Sequence, residues 1–148
     1  MEPIQGEAGA IVPPDDFWPR IRAATKKHGV LLIADEVQTG IGRTGKLWGV
    51  DHWGVVPDIM TMAKALGGGV MPISAFVSTE EIWQCMMHPN PFIHTTTTGG
   101  GALACSAAIA AIHVALRDDY SKQAKEKGEY MMKHLEKLVK KYPEIYES

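Results

Sequence analysis

Residues 30–38 read VLLIADEVQ, and this stretch determines the fold class of the chain. It opens with an unbroken apolar run at residues 30–34. A short continuous apolar run is typical of a strand that is buried on both faces, as in a parallel sheet. The pattern therefore predicts a strand there, with Asp35 at its carboxyl end. A second, mainly apolar run at residues 59–63 ends at Lys64, and a third strand is predicted at residues 73–78.

Helices are predicted before and after these strands along the chain. Residues 15–28 carry apolar side chains at helical spacing, with Asp15 or Asp16 as the N-cap and Gly29 as the residue that ends the helix. Three further helices are predicted at residues 80–88, which Thr79 caps, and at residues 104–116 and 121–142. Because strands and helices alternate along the chain, we predict an α/β fold.

Composition excludes several classes of protein. The chain has 148 residues, of which 45% are hydrophobic and 22% charged, and its formal net charge is −2. Such a chain can bury a core, and its near-neutral charge gives no reason to expect nucleic acid or an acidic membrane as partner. It has no long apolar run and its first residues lack the layout of a secretion signal, so we expect a cytoplasmic protein. Its two cysteines lack the spacing of a metal site, so no metal is expected.

Two charged residues, Asp35 and Lys64, follow predicted strands. Ligands of parallel sheets bind beyond the carboxyl ends of the strands, so both residues are candidates for a site. A lysine amine can form an imine with an aldehyde, and the glycines at 67–69 and threonines at 95–98 can donate hydrogen bonds to a phosphate. Together these groups meet the requirements of pyridoxal phosphate, PLP. The alternative is that Asp35 and Lys64 form a structural ion pair.

Three motifs occur in a fixed order along the chain. They are EPIQGEAG at residues 2–9, DEVQTG with GRTG at residues 35–45, and AKALGGG at residues 63–69. In order and spacing they resemble the class III, PLP-dependent aminotransferases. Within that class, residues 69–73 and 90–97 are most similar to the putrescine (diamine) aminotransferases.

The resemblance implies a domain organisation. Residues 1–118 would form part of the cofactor-binding large domain of fold type I, a mostly parallel sheet flanked by helices. Residues 119–148 would form a long helix that leads toward an incomplete small C-terminal domain. Family members are several times longer, so we expect a fragment with exposed apolar sheet edges and faces.

The resemblance also implies roles for residues of the cofactor site. Lys64 would hold PLP as a Schiff base and move a proton during the reaction. Asp35 would face the pyridine nitrogen and stabilise its protonated form. Val37 would pack against the ring, and Gln38 would hydrogen-bond the phenolic oxygen.

Three further residues have implied roles. Thr97 would reach the cofactor phosphate of a neighbouring subunit, which implies a homodimer or a dimer of dimers. Glu2 would support Gln38. Glu7 would pair with an arginine that admits the carboxylate of the amino acceptor, and no residue of this chain matches that arginine. A solvated loop carboxylate is the alternative for Glu7.

The loop after Thr97 departs from the family pattern. Relatives usually continue FGGNPL, whereas residues 98–103 read TGGGAL, so Thr98, Gly101 and Ala102 replace the usual aromatic, Asn and Pro. These replacements add backbone freedom, which predicts a lower affinity for the cofactor.

The resemblance implies transfer of an amino group from a primary amine, a diamine such as putrescine or an ω-amino acid, to a 2-oxo acid. Two alternatives stay open at this point. The chain is a catalytically silent fragment or pseudoenzyme module, or it performs another class III reaction, as the racemases, aminomutases, decarboxylases and phospholyase of the class do.

Overall fold

The computed structural model describes residues 1–142 and confirms the α/β class. In chain order its elements are α1 Phe17–His28, β1 Ile33–Asp35, β2 Ile59–Met62, β3 Ala75–Ser78, α2 Glu80–Gln84, α3 Ala102–Arg117 and α4 Tyr120–Lys141. Two short 3-10 helices, Gly49–His52 and Lys64–Gly67, lie in the connections. Among residues 1–142, no helix is long and apolar enough to cross a membrane.

The strands form one sheet in the order β1-β2-β3. β1 and β2 are parallel, with Asp35 opposite Thr61, whereas β2 and β3 are antiparallel, with Met62 opposite Ala75. The described sheet is therefore mixed, and the mostly parallel arrangement is not seen in this part of the chain. The reason is the connection between β2 and β3, which contains only a 3-10 turn. It sends the chain back along β2, whereas a parallel neighbour is usually reached through a crossover helix.

Only one face of β1 is covered within residues 1–142. Leu32 and Ala34 are buried against Trp18, Val50 and Val55. Ile33, on the opposite face, is 44% exposed, and the predicted strand positions 30 and 31 are exposed as well. The prediction of a strand buried on both faces is thus wrong for this structure, because the apolar cluster covers one side of the strand alone.

The helix boundaries confirm most of the predicted signals. Gly29 ends α1 in the left-handed conformation, with φ of 63°. Asp16 lies at the N-cap of α1, but its side chain makes no capping hydrogen bond and pairs with Arg20 instead. Thr79 caps α2 as predicted, accepting a hydrogen bond from the Ile82 N–H at 3.4 Å. α2 is shorter than predicted.

Two of the three residues that depart from the family pattern after Thr97 lie at the start of α3. Gly101 is the N-cap of α3 and Ala102 is its first residue, and no side chain caps this end. Asn and Pro, which relatives usually carry at these two places, are favoured residues for the N-cap and the first helical position. The replacements therefore remove stabilising groups from the start of α3.

The apolar stripe of the long helix α4 faces solvent in the described structure. Met131 is 61% exposed and Leu138 is 47% exposed. The sheet likewise exposes Val77, at 49%. The exposed apolar faces expected from the sequence are therefore present. Residues 143–148, which belong to the predicted region 119–148, lie outside the described residues.

A half-buried ion pair joins α1 to the starts of β1 and β2. Both terminal guanidinium nitrogens of Arg22, Nη1 and Nη2, donate to the Asp58 carboxylate, at 2.6 and 2.7 Å, and the Leu32 N–H donates to the same carboxylate at 2.7 Å. The hydrogen bond from Arg22 is the main reason why the pKa of Asp58 falls from 3.8 to about 2. This pair orients α1 on the sheet.

We expect Asp58→Asn to lower the free energy of unfolding at neutral pH by about 1 to 2 kcal/mol. Because the pKa of Asp58 is lower in the folded state, its contribution is complete above about pH 4 and is lost as the pH falls toward 2. Urea unfolding at several pH values would measure this difference. Asp16→Asn is the matched control, since Asp16 pairs with Arg20 in solvent and should contribute less than about 0.5 kcal/mol. An equal effect of both substitutions at every pH would contradict the prediction.

Candidate active site

A cleft of about 350 Å³ lies beyond the carboxyl ends of β1 and β2. Val37, Gln38 and Lys64 line it, as three of the residues predicted for the cofactor site. Arg43 and Thr44, from the glycine-rich loop at residues 40–49, line the same cleft. The structure therefore brings together, at the predicted rim of the sheet, side chains that are far apart in sequence.

Asp35 is the last residue of β1 and is half-buried. Its Oδ1 accepts hydrogen bonds from the Val37 N–H at 3.1 Å and from the Thr61 hydroxyl at 3.3 Å. Within residues 1–142, Oδ2 makes no hydrogen bond, and no ion pair joins Asp35 to Lys64. The structure thus gives no support to a structural ion pair and leaves one carboxylate oxygen available to a ligand.

Lys64 begins the 3-10 turn that follows β2, and its side chain is exposed, not enclosed at a buried strand end. Its φ is 47°, in the left-handed region that a residue other than glycine adopts at a cost. Behind it, Leu66 is buried with Met62 of β2 and Ala108 of α3. The packing of α3 on this turn maintains the strained conformation of Lys64.

The backbone of Gly6 lies against the Gln38 side chain. A Cβ atom at Gly6 would clash with Gln38 Oε1, so a side chain there would displace the Gln38 amide. The Gly6 N–H donates to Glu2 Oε1 at 3.4 Å. Glu2 thus hydrogen-bonds the residue that contacts Gln38, but no hydrogen bond joins Glu2 to Gln38 itself within residues 1–142, and its supporting role stays a prediction. Glu7 is exposed, in agreement with a solvated loop carboxylate.

Thr97 is not among the residues that line this cleft. It is exposed, as is the whole segment 91–101. The structure of one chain therefore brings Lys64, Val37 and Gln38 together. Asp35 is hydrogen-bonded to the Val37 N–H but does not line the cleft, and Thr97 does not line it either.

Glu36 is a residue that the sequence analysis did not single out. Its side chain is 1% exposed, and its carboxylate accepts hydrogen bonds from the backbone N–H groups of Gly49 and Val50. The signal available in the sequence was its position between two residues of the predicted site. Charged residues are rarely buried unless they are paired or hydrogen-bonded, so a carboxylate there required partners.

Comparison with known proteins identifies the family. The family model described as aminotransferase class-III matches residues 1–147. The chain belongs to the class III aminotransferases. Its relatives include the putrescine aminotransferase of Pectobacterium atrosepticum, which is 51% identical over 145 residues. That match covers 98% of this chain and 31% of the relative, so the chain spans about a third of the relative's length.

Solved structures show the same class III aminotransferase fold. An amine transaminase from an uncultivated Pseudomonas species, in a PLP-bound form, is 39% identical with a TM-score of 0.89, covering 96% of this chain and 33% of its own. The ornithine aminotransferase of Plasmodium yoelii is 41% identical with a TM-score of 0.86, covering 95% and 37%. The predicted family and its fold type I architecture are confirmed.

Proposed function

We propose that this chain carries the cofactor-binding core of a PLP-dependent enzyme that transfers an amino group from a primary amine to a 2-oxo acid. The observation that carries the proposal is the cleft that Lys64, Val37 and Gln38 line together, next to the end of β1, where Asp35 Oδ1 accepts a hydrogen bond from the Val37 N–H. Family membership and the PLP-bound amine transaminase of similar structure support it.

The groups around the cleft suit PLP chemically. A solvent-accessible primary amine can react with its aldehyde, and a carboxylate oxygen with no partner among residues 1–142 can interact with a protonated ring nitrogen. The Gln38 amide can donate a hydrogen bond to an oxygen, and the Val37 side chain offers an apolar contact. When bound, PLP supplies the electron sink for the reaction.

Each residue of the cleft has a proposed role in this chemistry. Lys64 would hold the cofactor through Nζ and would move a proton at the substrate carbon. Asp35 Oδ2 stabilises positive charge on the pyridine nitrogen while Oδ1 stays bound to Val37 and Thr61. Val37 contacts the ring, and Gln38 orients it through the phenolic oxygen.

The proposed donor is a molecule with a terminal primary amine, such as a diamine or an ω-amino acid. The names of the relatives support this choice, because they act on putrescine, on ornithine or on amines. Another class III reaction is the alternative, since it would use the same Lys64 and Asp35. The substrate panel described below distinguishes the two.

The proposal extends to the assembly of the protein. Residues 1–118 belong to the cofactor-binding domain, and residues 119–148 lead toward the C-terminal domain. Thr97 binds the phosphate of a cofactor in a neighbouring subunit of a homodimer or a dimer of dimers. Its exposure outside the cleft of its own chain supports that role. The cytoplasmic location and the reduced cofactor affinity stay predictions.

Labelling with PLP tests the proposed function. The chain is mixed with PLP, reduced with sodium borohydride and digested, and the label is expected on the peptide that contains Lys64. An amine panel of putrescine, ornithine and a monoamine, with pyruvate or 2-oxoglutarate, then tests transfer. If no lysine is labelled, the cofactor proposal fails. If Lys64 is labelled but no amine changes the visible absorbance of the complex, the chain is catalytically silent.

A further inference from the structure

Glu36 has a buried carboxylate, and both of its oxygens accept hydrogen bonds from residues at the two ends of the glycine-rich loop. Oε2 accepts from the Gly49 N–H at 2.8 Å and from the Thr39 hydroxyl, and Oε1 accepts from the Val50 N–H at 2.9 Å. The side chain is 1% exposed. Three donors therefore converge on one charged group that solvent barely reaches.

The backbone of Glu36 is fixed at the same point. Its N–H donates to the Thr61 carbonyl oxygen at 2.9 Å, and its own carbonyl oxygen accepts from the Gly40 N–H at 2.9 Å. Glu36 thus joins the rim of the sheet, beside Asp35, to the start of the 3-10 helix Gly49–His52.

The segment between Glu36 and this 3-10 helix supplies many of the residues that line the cleft. Residues 37–48 contain Val37, Gln38, Arg43 and Thr44, which line it. No strand or α-helix occurs in this segment, so its conformation depends on turns and on side-chain hydrogen bonds. The Glu36 carboxylate accepts hydrogen bonds from Thr39, near the start of this segment, and from Gly49 and Val50, directly after its end.

We propose that Glu36 is a positioning residue for the cofactor site, a role that rests on the proposed function. By holding residues 39, 49 and 50, it fixes the directions in which Val37 and Gln38 face the cleft. It does not line the cleft itself, so it acts through these neighbours.

The chemistry of the three donors requires a carboxylate at this position. A glutamine has nearly the same shape, but its NH₂ group would face a backbone N–H, so one buried donor would lose its partner. Hydrogen bonds to a charged acceptor are also stronger than neutral ones. Glu36→Gln should therefore loosen the loop without changing its volume.

The test compares Glu36→Gln with Asp58→Asn in the full chain. Asp58 is a half-buried carboxylate that binds Arg22 and Leu32 and does not line the cleft, so its loss reports a structural effect alone. We expect Glu36→Gln to weaken PLP binding about tenfold and to shift the visible absorbance of the bound cofactor. Asp58→Asn should keep both properties close to wild type. Equal PLP affinity and spectrum in Glu36→Gln and wild type, or equal losses in both variants, would overturn the proposal.

A second measurement uses the wild-type chain and does not depend on the folding of a variant. Coupling between two sites is reciprocal, so PLP binding should slow amide hydrogen exchange at Gly49 and Val50. Unchanged exchange there, with Lys64 labelled by PLP, overturns the role of Glu36 but leaves the proposed function intact. If wild type takes no label on Lys64, the proposed function fails, and the role of Glu36 fails with it.

Discussion

Lys64→Ala is expected to abolish covalent PLP labelling and to reduce amino transfer at least about 10³-fold, because general acid–base catalysis alone typically contributes about 10²–10⁴-fold. The substitution removes both the amine proposed to attach the cofactor and the group proposed to move the proton. Borohydride labelling with peptide mapping and a transfer assay with the best amine of the panel measure the two losses separately.

Lys46→Ala is the matched control for this loss. Lys46 is also an exposed lysine, on the glycine-rich loop, but it does not line the cleft. Its substitution should leave labelling and transfer close to wild type. Labelling that persists in Lys64→Ala, or disappears in Lys46→Ala, would contradict the assignment of Lys64.

Lys64→Gly tests whether the backbone at position 64 is strained. Since Lys64 has a φ of 47°, glycine should relieve strain and raise the free energy of unfolding by up to about 1 kcal/mol. Activity should be lost as it is in Lys64→Ala. A gain in stability together with a loss of function would show that the protein keeps this strained conformation to place the amine.

The sequence predicted the parts of the fold that depend on local signals. The apolar run before Asp35, the glycine at position 29 and the hydroxyl of Thr79 each act over a few residues. Gly29 and Thr79 end and cap their helices as predicted, whereas the strand that ends at Asp35 begins only at Ile33 and is shorter than the predicted one. The exposure of Ile33 depends on what packs against the sheet, and no local pattern encodes that. The direction of β3 follows from the connection after β2, which contains a 3-10 turn and no α-helix.

The candidate site shows the same division. Asp35 and Lys64 could be placed at one rim because both follow apolar strands. Glu36 could not be assigned a role, because its partners at Gly49 and Val50 are thirteen and fourteen residues away and donate through the backbone. Every residue except proline has a backbone N–H, so the residue types at positions 49 and 50 do not indicate that these groups bind Glu36.

Asp35→Asn is expected to lower kcat by about 10² or more while PLP affinity changes by less than about tenfold, since the carboxylate is proposed to act mainly on charge that develops during the reaction. Asparagine keeps an Oδ1 that can accept from the Val37 N–H and the Thr61 hydroxyl, so the end of β1 should keep its structure. What changes is the second oxygen, which becomes an amide NH₂ and can no longer stabilise a protonated ring nitrogen.

Steady-state kinetics and a PLP titration of the same preparation separate turnover from binding. Asp51→Asn serves as the control, because Asp51 is an exposed carboxylate that accepts from the Trp48 N–H and does not line the cleft. It should leave kcat within about twofold of wild type, as surface substitutions usually have small effects. If Asp35→Asn weakens PLP binding as strongly as it slows turnover, Asp35 holds the cofactor in place and does not stabilise charge in the reaction. The division of the loss between affinity and kcat therefore decides which of the two roles the free oxygen of Asp35 performs.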